Sequence, residues 1–144
     1  MQIELSPEPD EALRLGIHAT LRDFNEAQAG PSGYQHLGLA VRDSGGALCG
    51  GLWGHTGYGW LYIQLLAVPE SARGQGLGTR LMHAAETEAL RRGCHHAWVD
   101  TIFGARPFYE RLGYRVFGEL PNYTGAFTRS FLSKSLHPSP EPAA

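Results

Sequence analysis

The sequence predicts an α/β (α+β) domain in which helices flank a central mixed sheet. Three observations predict it. Strand-like and helix-like apolar periodicities alternate along 144 residues, a length suited to one core. An apolar run, Leu61 to Val68, passes through the glycine-rich turn Arg73-Gly74-Gln75-Gly76-Leu77-Gly78-Thr79 directly into a helical run. There is no internal repeat and no long apolar span.

The elements follow in order. Gln2 to Leu5 is expected to be a short first strand. Asp10 to about Gln28 is expected to be helical, because Leu13, Ile17, Leu21 and Phe24 recur at helical spacing. Pro9-Asp10 suits its start and Gly30-Pro31 its end. His36 to Arg42 alternates as a strand, Asp43-Ser44-Gly45-Gly46 turns, and Ala47 to His55 returns. Gly57-Tyr58-Gly59 turns again into a fourth strand, Trp60 to Val68. A helix over residues 78–92 then buries Leu77, Leu81, Met82, Ala85 and Ala89. Gly93 stops it, and Arg91 and Arg92 complement its dipole. A strand (Ala97 to Thr101), a short helix (Arg106 to Leu112) and two more strands (Tyr114 to Leu120, Thr124 to Ser135) complete a domain spanning residues 1–136. The proline-rich residues 137–144 are expected to form a disordered tail.

Composition narrows the function classes. A net charge of −2 with dispersed arginines argues against a nucleic-acid surface. Cys49 and Cys94 are too few for a disulfide framework and lack metal-ligand spacing, so both are expected to be buried small hydrophobes, with no metal site. Met1-Gln2-Ile3-Glu4 does not open a secretory leader, and a cytoplasmic protein without a membrane partner is the expectation.

The glycine turn carries the chemistry. A helix start leaves backbone N–H groups unpaired, and its macrodipole favours an anion there. Glycines let that backbone approach a pyrophosphate and adopt positive φ. A nucleoside-triphosphate loop would end in Gly-Lys-Ser/Thr, but this one ends Gly76-Leu77-Gly78-Thr79, and the chain's only lysine is Lys134. A dinucleotide fingerprint would place its third glycine one position later, and Asp100 matches its acidic partner only loosely.

A second segment is Ala105-Arg106-Pro107-Phe108-Tyr109-Glu110-Arg111-Leu112-Gly113-Tyr114. With it the chain resembles the GCN5-related N-acetyltransferase (GNAT) superfamily. Arg73-x-x-Gly76-x-Gly78 is similar to that superfamily's acetyl-CoA pyrophosphate motif, and Phe108-Tyr109-Glu110-Arg111-Leu112-Gly113-Tyr114 to its later Phe-Tyr-x-x-x-Gly-Phe/Tyr segment. The resemblance runs from about Ile3 to Leu136, the first third by element pattern alone. It implies the GNAT fold, a three-strand meander with β-α-β-α-β-β, whose mixed sheet is partly splayed in the middle.

The resemblance also implies roles. Acetyl-CoA would be the co-substrate, its pantetheine held by the backbone of Leu66, Ala67 and Val68 and its pyrophosphate by Arg73, Gly74, Gln75, Gly76, Leu77, Gly78 and Thr79. A backbone N–H at Leu66 would stabilise the oxyanion. Tyr109 would be the general acid facing the departing thiolate. The superfamily often carries a Glu or His on the fourth strand, where this chain has Tyr62 and Gln64, so the base is left open: a water chain, His55, Glu26, Asp100 or His36. Many members carry an Asn where this chain has Thr101. Adjacent His95 and His96 would point to opposite faces of a strand and cannot chelate together. The acceptor, a small-molecule or peptide primary amine, would meet Phe24, Asn25, Glu26, Trp53, Tyr58, Trp60, Tyr62 and Gln64, closed by Tyr123 and Phe127. Neither cysteine stands in an activating setting, which favours direct transfer in a ternary complex. The alternative is a non-catalytic acetyl-CoA-binding sensor or partner module. Homodimers are common in the superfamily.

Overall fold

The structure is a computed structural model, described for residues 1–136. By its internal contacts the chain falls into two compact units, Met1–Ser32 and Gly33–Ala144. The expected elements form in all but one place.

The first unit holds α1 (Glu11–Ala29). Asp10 caps it: its Oδ1 accepts from the Leu13 N–H at 2.9 Å, satisfying one of the donors a helix start leaves unpaired. Gly30, at φ 78, ends it by donating to the Glu26 carbonyl. The expected strand over Gln2–Leu5 does not form; residues 1–9 carry no regular element. Ile3 and Leu5 are exposed, and two apolar side chains in four residues bury too little to offset the entropy of ordering them.

The second unit is a six-stranded mixed sheet with two helices. Its strands are β1 (Gln35–Arg42), β2 (Leu48–Gly57), β3 (Trp60–Ala67), β4 (His96–Thr101), β5 (Arg115–Thr124) and β6 (Phe127–Ser135). Their spatial order is β1-β2-β3-β4-β6-β5, antiparallel throughout except the parallel β3–β4 pair. A single 3₁₀ turn (Glu70–Ala72) and then α2 (Leu77–Arg91) form the crossover between β3 and β4, and α3 (Arg106–Arg111) links β4 to β5.

The period of two divides the sheet. Leu61, Ile63, Ala97, Val99 and Leu132 are fully buried and share a core with Leu81, Met82, Ala85 and Ala89 of α2. Leu77 is only partly buried. Trp60, Tyr62, Trp98, Asp100, Arg129, Phe131 and Ser133 alternate with the core residues along β3, β4 and β6. Cys94 is buried as expected, but Cys49 is exposed. It sits at the outer start of β2, before the buried positions begin at Leu52, and its thiol donates to the Val41 carbonyl at 3.5 Å. No described helix is long and apolar enough to cross a membrane.

Candidate active site

The site begins where the central pair of strands parts. β3 and β4 are paired from Trp60↔His96 to Ile63↔Val99 and no further, although β3 runs on to Ala67 and β4 to Thr101. The cause lies across β3. Trp53 of β2 pairs with Leu65 and Gly54 with Ile63, so Gln64 is an extra residue, a β-bulge. A bulge bends its strand and increases its twist. The partner must be glycine, since a Cβ on Gly54 would lie 2.1 Å from the Tyr62 carbonyl oxygen. Beyond Gln64, β3 pairs with β2 alone, while Asp100 and Thr101 pair with Phe131 and Ser130 of β6.

A wedge of about 400 Å³ opens between the parted strands. One wall is Ile63, Gln64, Leu65 and Leu66; the other is Val99, Asp100, Thr101, Ile102 and Phe103, with Tyr109 and Arg129 completing it. On the far side lies a larger cleft of about 840 Å³, a size ordinary for a cofactor or drug-sized ligand. It is lined by Leu66, Ala67, Val68, Arg73, Gly74, Gly76, Leu77, Gly78 and Thr79, and by Phe108, Tyr109 and Arg111 of α3. Cleft and wedge share four residues: Leu66, Phe103, Ala105 and Tyr109.

The cleft has the chemistry of an anion cradle. Gly76 caps α2 in the left-handed region at φ 74, and no side chain caps the helix start. The first intrahelical bond there is donated by Arg80 to the Gly76 carbonyl, which leaves the N–H groups before it open to a ligand. Gly74 and Gly76 both have positive φ, and a Cβ on either would meet no atom within 4 Å, so the space above them is open. Gly78 is glycine for another reason: a Cβ would press the Phe108 ring at 3.2 Å, so its absence lets α2 and α3 approach. Arg73 and Arg111 stand at the cleft with no ion pair among the described residues. Of the expected cofactor residues only Gln75 is not on the cleft wall; its amide donates back to the Ser71 carbonyl at 3.5 Å.

Tyr109 stands at the junction. It is 5% exposed, and its hydroxyl makes no hydrogen bond among the described residues. Burial first, and the Asp100 charge second, push its phenol up to about 12. Asp100 itself is held from two sides. The Tyr62 hydroxyl donates to its Oδ1 at 2.9 Å, and Arg129 donates to its Oδ2 through Nε at 2.9 Å and through Nη2. Arg129 also donates to the Tyr123 hydroxyl at 2.7 Å. Burial, then the Asp100 hydrogen bond, raises the Tyr62 phenol to about 12. Arg111, Arg129 and Phe103 were not anticipated from the sequence. Arg111 lies inside the quoted Phe108–Tyr114 segment, and its charge was the signal available.

The remaining expected acceptor residues are dispersed. Gln64 lines the wedge, and Tyr62 reaches it through Asp100. Tyr123 is tied in by Arg129, and Phe127 packs edge-on against Phe103 at 5.0 Å. Trp60 instead stacks on His96 at 4.6 Å and lines a separate apolar cleft of about 500 Å³ with Trp98, Phe117 and Phe131. Tyr58 sits at the β2–β3 turn with φ 49, and Trp53 packs near His36. His55 lies between Tyr34 and Tyr62, and burial, then His36, lowers its imidazole's affinity for a proton. Phe24, Asn25 and Glu26 belong to α1, in the first unit. Neither cysteine lines the cleft or the wedge, and burial raises the Cys94 thiol. No group of metal-binding side chains is present among the described residues.

The chain and its fold match known proteins. The model of the acetyltransferase (GNAT) family matches residues 3–114. This chain belongs to that family. It is 38% identical to acetyltransferase Atu2258 of Agrobacterium fabrum over 135 residues, covering 93% of this chain and 98% of that protein. It is 44% identical to the blasticidin-S acetyltransferase of Streptomyces morookaense over 93 residues, covering 63% of this chain and 68% of that one. Among solved structures, an acetyltransferase from Agrobacterium tumefaciens superposes with a TM-score of 0.88 at 38% identity, over 94% of this chain and 99% of that one.

Proposed function

We propose that this member of the acetyltransferase (GNAT) family moves the acetyl group of acetyl-CoA to a primary amine of a small molecule, directly within a ternary complex. The observation that carries the reading is the shared wall of cleft and wedge at Leu66, Phe103, Ala105 and Tyr109. A thioester lying along the cleft would present its carbonyl at this wall to an amine in the wedge. The blasticidin-S relative supports a small-molecule acceptor.

The residues divide the work. The open amides at the start of α2, with Arg73 and Arg111, hold the pyrophosphate. The strand segment at Leu66–Val68 aligns the pantetheine, and a backbone N–H there stabilises the oxyanion. As the carbon–sulfur bond breaks, the Tyr109 hydroxyl donates a hydrogen bond to the sulfur. With its phenol near 12 and a thiol near roughly 8.5, complete proton transfer is uphill by about 5 kcal/mol. Tyr109 therefore acts by hydrogen bonding to the developing thiolate, and water completes the protonation.

Thermal unfolding with and without acetyl-CoA, with ATP and NAD as controls, tests the cofactor. Ligand at about 100 times its Kd adds roughly 2.7 kcal/mol. A rise in midpoint with acetyl-CoA alone supports the reading. No rise, or a larger one with ATP or NAD, overturns it.

A further inference from the structure

Five proton acceptors were open on the sequence: water, His55, Glu26, Asp100 and His36. Of the candidates in the second unit, His55, Asp100 and His36, only Asp100 lines the wedge, and it is the one carboxylate there. The charged and titratable groups facing it are Tyr62 from β3, Tyr109 from α3 and Arg129 from β6, with Tyr123 of β5 behind Arg129. A carboxylate offers about four acceptor positions, and Tyr62 and the two Arg129 donors take three. One remains, on a side chain that is 11% exposed and lies in the wall of the opening.

We propose that Asp100 is the catalytic carboxylate of the acceptor side: it accepts a hydrogen bond from the attacking amine and takes its proton as the new bond forms. This rests on the transferase reading above. Arg129 and Tyr62 are positioning residues that hold the carboxylate in line. The steps balance. An ammonium acceptor first loses one proton to water, helped by the adjacent Arg129 charge, which disfavours the cation. The neutral nitrogen attacks the thioester carbon, and its second proton passes to Asp100. The oxyanion collapses, the carbon–sulfur bond breaks, and the thiolate leaves hydrogen-bonded to Tyr109 and gains a proton from water. Asp100 then returns its proton to water. Asp100 with Arg129 is net neutral, so the wedge suits a primary amine without requiring a polycation.

The test is thiol release from acetyl-CoA with blasticidin S, spermidine and kanamycin as amine probes, on the full chain. Asp100→Asn is nearly isosteric and keeps an acceptor for Tyr62, but cannot take a proton. It should lose about 10²- to 10⁴-fold in kcat while its midpoint still rises with acetyl-CoA as in the wild type. Asp100→Glu should recover part of the rate. Arg129→Gln should lower kcat at least tenfold while leaving the KM for acetyl-CoA within twofold, and Arg129→Lys should recover part of that rate; a merely structural role would show no such split and no rescue. Asp100→Asn within threefold of wild type, or an unchanged kcat in Arg129→Gln, overturns the proposal. If the wild-type protein binds acetyl-CoA yet releases no thiol with any probe, the transferase reading fails first and the proposal falls with it.

Discussion

Two carboxylates, one on α2 and one on β4, are held in nearly the same way but stand in different surroundings. Glu86 of α2 accepts from the Tyr114 hydroxyl at 2.9 Å and from the Lys134 ammonium at 3.0 Å. Asp100 accepts from the Tyr62 hydroxyl at 2.9 Å and from the Arg129 guanidinium. Each pairs one tyrosine with one cation contributed by β6. Glu86, however, lies on the face that α2 covers and lines neither the cleft nor the wedge. Asp100 lies where β3 has bent away, so its free acceptor position faces an opening. The difference is strand geometry rather than side-chain chemistry: the triad proposed as a reaction site stands beside the Gln64 bulge, and the other does not.

Substitutions can break or sharpen this contrast. The largest stability effect belongs to the closed triad. Glu86→Ala leaves Lys134 and the Tyr114 hydroxyl without their partner and should cost about 3 kcal/mol, read by chemical denaturation. Asp100→Asn should cost far less stability while removing most of the rate, since the amide keeps the size of the side chain and an acceptor for the Tyr62 hydroxyl. Next is Gly78→Ala. Its Cβ would press Phe108 at 3.2 Å, and a cost of about 1 kcal/mol with a weakened acetyl-CoA midpoint shift would show that α2–α3 spacing shapes the cleft. Arg111→Gln should raise the KM for acetyl-CoA several-fold without changing kcat, the mark of uniform binding, and the effect should shrink at high salt.

The smallest effect is in acid stability. Side-chain hydrogen bonds from Arg91, then Arg92, hold the half-buried Glu88 carboxyl down at about 2, below its usual 4.5. A depressed carboxylate contributes its stability above the unfolded value and loses it as pH falls through the folded one. Glu88→Gln should therefore flatten the stability profile between about pH 4.5 and 2 and change nothing near neutrality.

The proposed cofactor side is legible in the sequence because it is local. Arg73 to Thr79 is one continuous turn whose spacing states its backbone chemistry, and Phe108 to Tyr114 is a short segment. The elements that failed lacked that local support: Gln2–Leu5 had too few apolar residues to form, and Cys49 fell outside the covered part of its strand. Glu86 shows only as a charged residue inside an apolar stripe, because its partners sit 28 and 48 positions away. Asp100 and Arg129 are 29 residues apart and meet only through the β4–β6 register. No periodicity announces such a pair. The Gln64 bulge is equally silent, because it is defined by the strand opposite.

The central claim is that donor and acceptor meet at Tyr109, between cleft and wedge. Steady-state thiol release by Tyr109→Phe, measured beside its acetyl-CoA affinity by calorimetry, tests it most directly. The account predicts a 10- to 100-fold fall in kcat, about 1.4–2.7 kcal/mol, with affinity for acetyl-CoA within twofold of wild type. Equal turnover in the two proteins, or a loss that lies wholly in acetyl-CoA binding, would contradict it.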